Sequence, residues 1–340
     1  MDVSPTHSVF LQTDLGRSIP QDDIDLVRAA VDCTSEQLTL FTTLSNIDSI
    51  DLTAGWSQMQ RRVADLYAIS FGQALVRNSR VNIDIVFLDF CAYSPEDMAP
   101  FSLSKTIVAS KDKHAIPTWW PSAMVQNLVV CTQFSSSPEP SNGHPNQRSS
   151  APFPPTRRPI PWSSFSHVAL GGTFDHLHVG HKILLTAAAL AATKRVVCGI
   201  SADTLLENKK YREQLESYRT RELSVLLFLR KIRKDLIFEL VPIDDPYGPT
   251  ATDASIGALA VSHETLYASN ALNLRRAEHE MPPMALLPID LVVSPAAGSD
   301  GSHSSSAANG IRASVSNENS ALKISSTDIR ASLAEKQNRR

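Results

Sequence analysis

Two hydrophobic periods run along this chain, and the switch between them marks its elements. In the second half SHVAL (Ser166–Leu170) is the short apolar run of a buried strand. VGHKILLTAAALAA (Val179–Ala192) follows it, rich in the Leu and Ala that favour helix. Read this way, the pattern predicts strands over 168–170, 195–200, 236–242, 258–261 and 289–293, and helices over 179–193, 220–234 and 264–278. Strand and helix in alternation imply a parallel sheet with helices on both faces, where ligands bind beyond the carboxyl ends of the strands. In the first half, 56–78 has helical spacing, 81–90 alternates before turning continuously apolar, and 126–132 reads as a further strand. These predict an N-terminal α/β domain over 22–132. No catalytic constellation stands out there, and His114, in SKDKHAIP, reads as a solvated loop residue.

Three stretches carry neither period. Residues 1–21 are expected to be a disordered N-terminus, 133–164 a flexible linker rich in Ser, Pro, Asn and Gly, and 295–320 a disordered insertion. The domain that holds the insertion is expected to span 165–340. The first 26 residues lack the apolar core of a secretory signal and mix acids with one Arg17, which does not suit a mitochondrial leader. No apolar run reaches the length of a membrane span. At 340 residues and 42% hydrophobic content the chain can build two domains with cores. A net charge of −3 argues against nucleic acid as the main partner. Cys33, Cys91, Cys131 and Cys198 are scattered without a CxxC, which suits a reducing compartment, and a cytoplasmic location is expected.

The chemistry concentrates in GGTFDHLHVGH, from Gly171 to His181. A strand, a glycine turn and a helix start allow close backbone approach, and free N–H groups at the helix N-terminus attract anions. His178 and His181 are three apart, so in one helical turn they share a face and can both donate to a phosphoryl group. A lone histidine here would be an ordinary cap. No Cys or carboxylate cluster accompanies the pair, so no metal site is expected. Far along the chain, LKISSTDIRASLAE puts Ser325, Ser326 and Thr327 ahead of a helix with Arg330 one turn in, more hydroxyls than a cap requires. Asp244 and Asp245 are adjacent carboxylates before PYGP and read as loop residues rather than as a catalytic pair. There is no GxxxxGK[ST], hence no P-loop kinase domain.

Together, GTFDHLHVGH and ISSTDIR resemble the nucleotidyltransferase superfamily with HxGH and ISSTxxR signatures. Within it, VPIDDPYGPTATD (Val241–Asp253) and VSHETLYASNALNLRRAE (Val261–Glu278) are similar to the eukaryotic and archaeal type of phosphopantetheine adenylyltransferase. The likeness covers about Ser166 to Leu333; His176 stands where bacterial relatives carry proline, and the insertion precedes the ISST block.

The resemblance implies a Rossmann-like nucleotidylyltransferase fold and transfer of the adenylyl group of ATP to 4′-phosphopantetheine, giving dephospho-coenzyme A and pyrophosphate. It implies that Thr173 orients the acceptor phosphate, that His178 and His181 hold ATP phosphates beside Gly171, Gly172 and Phe174, and that Lys209 or Lys210 bridges both substrates. Arg275 or Arg276 would reach the nucleotide phosphates, the other facing solvent. Arg219 or Arg221 would position phosphopantetheine. Ser325, Ser326, Thr327 and Arg330 would hold the β- and γ-phosphates. Mg²⁺ is expected to travel with ATP. The alternatives are transfer to nicotinamide mononucleotide, cytidylyl transfer, or a scaffold role in which the N-terminal domain docks other coenzyme A biosynthetic enzymes.

Overall fold

The computed structural model describes residues 3–45, 55–132, 165–290, 314–315, 322–323 and 325–337. The linker expected at 133–164 lies outside the described residues, as does the insertion expected at 295–320 except for residues 314–315. The chain divides into two compact units, residues 1–58 with 69–159 and residues 59–68 with 160–340.

The first unit contains β1 (Ser4–Thr13), α1 (Gln21–Asp32), β2 (Thr34–Leu44), both ends of α2 (Gly55–Val76, whose residues 59–68 count with the second unit), β3 (Asn82–Phe87), α3 (Pro95–Met98), β4 (Lys105–Ala109), α4 (Ser122–Gln126) and β5 (Leu128–Cys131). Its strands pair in the order β3-β2-β1-β4-β5, all parallel. The expectation of a disordered N-terminus over 1–21 is therefore corrected, because β1 is the middle strand of this sheet. Val9, Phe10 and Leu11 are fully buried, as a parallel strand covered on both faces must be. Phe10, Phe41, Val108 and Trp120 form the core of one face, with the Phe10 and Trp120 rings edge to face at 5.4 Å. His114 is exposed in a 3₁₀ turn.

The second unit contains β6 (Phe165–Gly172), α5 (Val179–Ala191), β7 (Ala192–Ser201), α6 (Tyr218–Ile232), β8 (Ile237–Ile243), β9 (Ala258–Ser262), α7 (His263–Glu278) and β10 (Ala285–Ile289). A two-stranded antiparallel piece, β11 (Ser314–Val315) with β12 (Leu322–Lys323), and α8 (Ser326–Gln337) complete it. Its strand order is β10-β9-β6-β7-β8, again all parallel. Counted from its own first strand, this is the same order as in the first unit. The predicted Rossmann-like sheet is present, and both units carry five strands in its 3-2-1-4-5 order. The fifth strand lies at Ala285–Ile289, ahead of the expected 289–293, of which 291–293 are outside the described residues. Pro288 within ALLPI argues against a central strand, but β10 is an edge, where a missing N–H costs no ladder bond.

The helix α5 shows how composition and place agree. All but one of its residues are buried, Lys182 and Thr186 included, so a narrow, alanine-rich helix fills the centre of one face. It packs against α6 there. Right-handed crossovers send α7 to the other face, where its Leu272 packs in a cluster with Leu259, Val261 and Met284. The strand order reverses direction between β6 and β9, so the loops after them diverge and leave a crevice at the carboxyl edge. Among the described residues, no helix is long and apolar enough to cross a membrane.

Candidate active site

The glycine turn leaves β6 at that crevice. Phe174 and His176 both have left-handed backbone, with φ of 53° and 47°. The turn is thus coiled tightly enough to bury Phe174 completely, with its ring centroid 5.3 Å from that of His181. Gly172 makes this possible: a Cβ there would press the Phe174 ring at 3.2 Å. His178 caps α5 in extended conformation, and its carbonyl accepts the first helical bond from Lys182 N at 3.0 Å. The glycine inside the HxGH block has its own reason. A Cβ on Gly180 would lie 3.2 Å from the His178 ring, so a larger residue would press that ring by a few tenths of an ångström.

The two imidazoles stack, with centroids 3.8 Å apart and planes 23° from parallel. Both Nδ1 atoms are buried and without a hydrogen-bond partner among the described residues. The rings keep some surface open, yet protein crowds them closely. Burial pushes His178 down to about 4, opposed by the Asp175 carboxylate, and pushes His181 well below its ordinary value, with His178 adding to the effect. Both are therefore neutral near pH 7, and each offers one N–H and one lone pair. His178 Nε2 lies 3.4 Å from Ser326 Oγ, the hydroxyl that opens α8. Sequence positions 148 apart thus meet across the crevice.

Around this meeting point the ISST block is well tied. Ser326 Oγ donates to the Asp175 carbonyl at 3.0 Å, Ser325 Oγ donates to Asp328 at 2.7 Å, and Thr327 Oγ1 accepts from Arg330 at 3.3 Å. Arg330 is 2% exposed, and its Nη1 sits 2.7 Å from the fully buried Asp175 carboxylate while its Nε donates to the Lys210 carbonyl at 3.1 Å.

Two further arginines are held by protein groups in the same way. Arg221, fully buried, donates to the carbonyls of Glu216, Thr173 and Ser201 and to Asp203, which makes it a brace behind Thr173. Its neighbour Arg219 is 80% exposed and paired with Glu222. Arg276 is also fully buried and donates to the carbonyls of Pro282, Thr250, Asp253 and Ile256. Arg275 lies over the Tyr247 ring at 4.8 Å. Of this pair, Arg275 is the exposed residue, and Arg276 closes the loop ahead of β9.

Gly171 and Thr173 border the turn and keep partial or full exposure, and Lys209 and Lys210 are both exposed after β7. Asp245 accepts from the Tyr247 and Gly248 amides at 2.7 and 2.9 Å, which holds its carboxyl below the usual range and gives it the loop role its sequence suggested. Two residues escaped sequence reasoning, Asp175 as a hub and Glu216 as its partner. Glu216 N donates to Asp175 Oδ1 at 2.8 Å, and its carboxylate accepts from His176 N at 2.7 Å. The position of Asp175 inside the GTFDH block was the available signal.

An all-parallel sheet, a glycine turn with stacked histidines at its switch point and a hydroxyl-capped helix closing on them define a nucleotidyltransferase-type domain. Residues 169–332 match the family model described as cytidylyltransferase-like. Among curated proteins, the phosphopantetheine adenylyltransferase of Saccharomyces cerevisiae is 45% identical over 124 residues, 36% of this chain and 41% of that protein. An uncharacterized protein of Schizosaccharomyces pombe is 41% identical over 49% of this chain and 48% of its own length. The phosphopantetheine adenylyltransferase of Methanopyrus kandleri is 33% identical over 39% of this chain and 83% of its own. The chain belongs to the phosphopantetheine adenylyltransferase family. It spans less than half the length of the two fungal relatives.

Proposed function

We propose that this protein transfers the adenylyl group of ATP to 4′-phosphopantetheine, releasing pyrophosphate and forming dephospho-coenzyme A. The observation that carries the reading is the stacked His178–His181 pair with Ser326 within 3.4 Å of it, at the switch point of the sheet, in a chain of this family. An oxygen of the acceptor phosphate forms a bond to the α-phosphorus, and the bond from that phosphorus to the β-phosphate oxygen breaks. A phosphate monoester has a second pKa near ~6, so the nucleophile is ionised at neutral pH and needs no strong base. The barrier lies in gathering two polyanions, which preorganised neutral donors and positioning lower. His178 and His181 donate to the triphosphate, and Thr173, at the mouth of the turn, orients the acceptor. Ser325, Ser326 and Thr327 receive the leaving pyrophosphate, and Lys209 or Lys210, both exposed, bridges the two substrates.

Mg²⁺ enters with ATP in this reading. The carboxylates of Asp175 and Asp253 are bound to Arg330 and Arg195, so the nucleotide phosphates rather than these side chains hold the ion. A cytoplasmic setting agrees with four buried cysteines outside any disulfide. The test is to incubate the full chain with ATP or CTP and each of phosphopantetheine, nicotinamide mononucleotide and phosphocholine, and to measure pyrophosphate. Turnover with ATP and phosphopantetheine, lost in His178→Ala, is expected; consumption of CTP alone sinks the proposal and favours the cytidylyl alternative that the family model's description raises. A docking role for the N-terminal unit toward other coenzyme A biosynthetic enzymes can coexist with turnover.

A further inference from the structure

We propose that Asp175 and Arg330 are positioning residues for the transfer, forming a latch that sets the histidine and hydroxyl donors in register without touching phosphate. This rests on the adenylyl-transfer reading above. The pair joins three segments far apart in sequence. Arg330 Nη1 lies 2.7 Å from Asp175 Oδ2, with the two side chains 3% and 0% exposed. From that centre, Asp175 Oδ1 accepts from Glu216 N at 2.8 Å, and Arg330 Nε donates to the carbonyl of Lys210 at 3.1 Å. The Asp175 carbonyl accepts from Ser326 Oγ at 3.0 Å, and Arg330 Nη2 donates to Thr327 Oγ1 at 3.3 Å. Each chemical element of the proposed site, the His178 turn, the lysine segment and the hydroxyl cap, is thus one covalent or hydrogen-bonded step from the ion pair.

Two physical arguments give the latch a catalytic consequence. Donors act on a transferring phosphoryl group in proportion to how well they are fixed beforehand, and a buried, multiply bonded ion pair fixes its neighbours more firmly than exposed loops can. Asp175 is also an anion beside a site that must receive two polyanions. Arg330 cancels that charge at contact distance, so a latch built from both residues orders the site without repelling its substrates.

The experiment uses the full chain and the variants D175N, R330Q and the neutral double variant D175N/R330Q. It measures kcat and KM for both substrates, together with the ATP dissociation constant from calorimetry. A latch predicts that each single variant lowers kcat by about a hundredfold, as for a lost preorganised donor. The ATP dissociation constant should stay within about threefold, and the double variant should be no slower than the worse single, as residues acting as one unit are. Direct phosphate binding by Arg330 would overturn the latch: R330Q would then weaken ATP by about tenfold or more while D175N, freeing the guanidinium, left ATP binding unchanged or tighter. Wild-type kcat in the single variants would overturn it too. Should a single variant fail to fold, the double variant carries the test, since it leaves no buried unpaired charge; its kcat must fall as well. Should the wild type form no product with any acceptor, the function reading fails by itself. The latch is then read from the His178 ring resonances, which must move in the D175N and R330Q proteins, and unmoved signals would reject it.

Discussion

Gly180 and Gly248 are glycines for different reasons, and each makes a separate prediction. At Gly180 the conflict of an added Cβ is with the His178 ring at 3.2 Å, so Gly180→Ala should shift the imidazole and lower kcat by about tenfold or more while leaving thermal stability nearly unchanged. At Gly248 the backbone is left-handed, φ +49°, and a Cβ would meet Ile243 Cγ2 at 2.5 Å. Gly248→Ala should therefore cost about 2 kcal/mol through strain and overpacking, read as a lower thermal midpoint. The histidines predict a pH effect. His178 titrates at about 4 when folded against 6.5 when free, and His181 is lowered too. Below pH 6.5 the unfolded chain takes up protons that the folded one refuses, so stability is full above pH 6.5 and falls as the pH drops toward about 4. Chemical denaturation across that window should show this slope, and it should flatten in the His178→Gln protein. A slope unchanged by the substitution would place the titration elsewhere.

At the scale of elements, the arginines show what a pattern can and cannot tell. Arg275 and Arg276 are equivalent in the sequence, and only the phase of α7 against the loop ahead of β9 separates an exposed residue from one holding four carbonyls. Arg276→Met should lose about 3 kcal/mol of stability, because buried carbonyls keep no partner, while turnover per folded molecule stays at the wild-type level. A loss of turnover without loss of stability would return Arg276 to the phosphates. Asn273 has the same structural duty, exchanging hydrogen bonds with Met284 at 3.0 and 2.9 Å across the turn into β10. The strand and helix blocks of the second unit were legible because long, strongly periodic segments coincide with buried faces. Elements of the first unit were missed where buried hydroxyls interrupt the apolar run, as Ser8 and Thr13 do in β1 and Thr39 and Thr42 do in β2.

For the whole molecule, two units with one strand order raise the question of which is needed for turnover. The archaeal relative is matched over 83% of its length by 133 residues of this chain, so a domain of that size makes up most of a family member. A protein lacking residues 1–150 is accordingly expected to keep its kcat, measured with the same pyrophosphate assay. Loss of turnover in a folded fragment would make the first unit part of the enzyme.

The residues alone determined the kind of chemistry, since a glycine turn with HxGH spacing and a run of hydroxyls before a helix are local arrangements that the backbone can realise in few ways. Local order and period likewise determined the α/β class. Tertiary structure alone decided which charges are spent inside the protein. Whether Arg221, Arg276 and Arg330 meet a ligand or a carbonyl depends on backbone groups brought in from distant segments, and no pattern of neighbours in sequence encodes those distances.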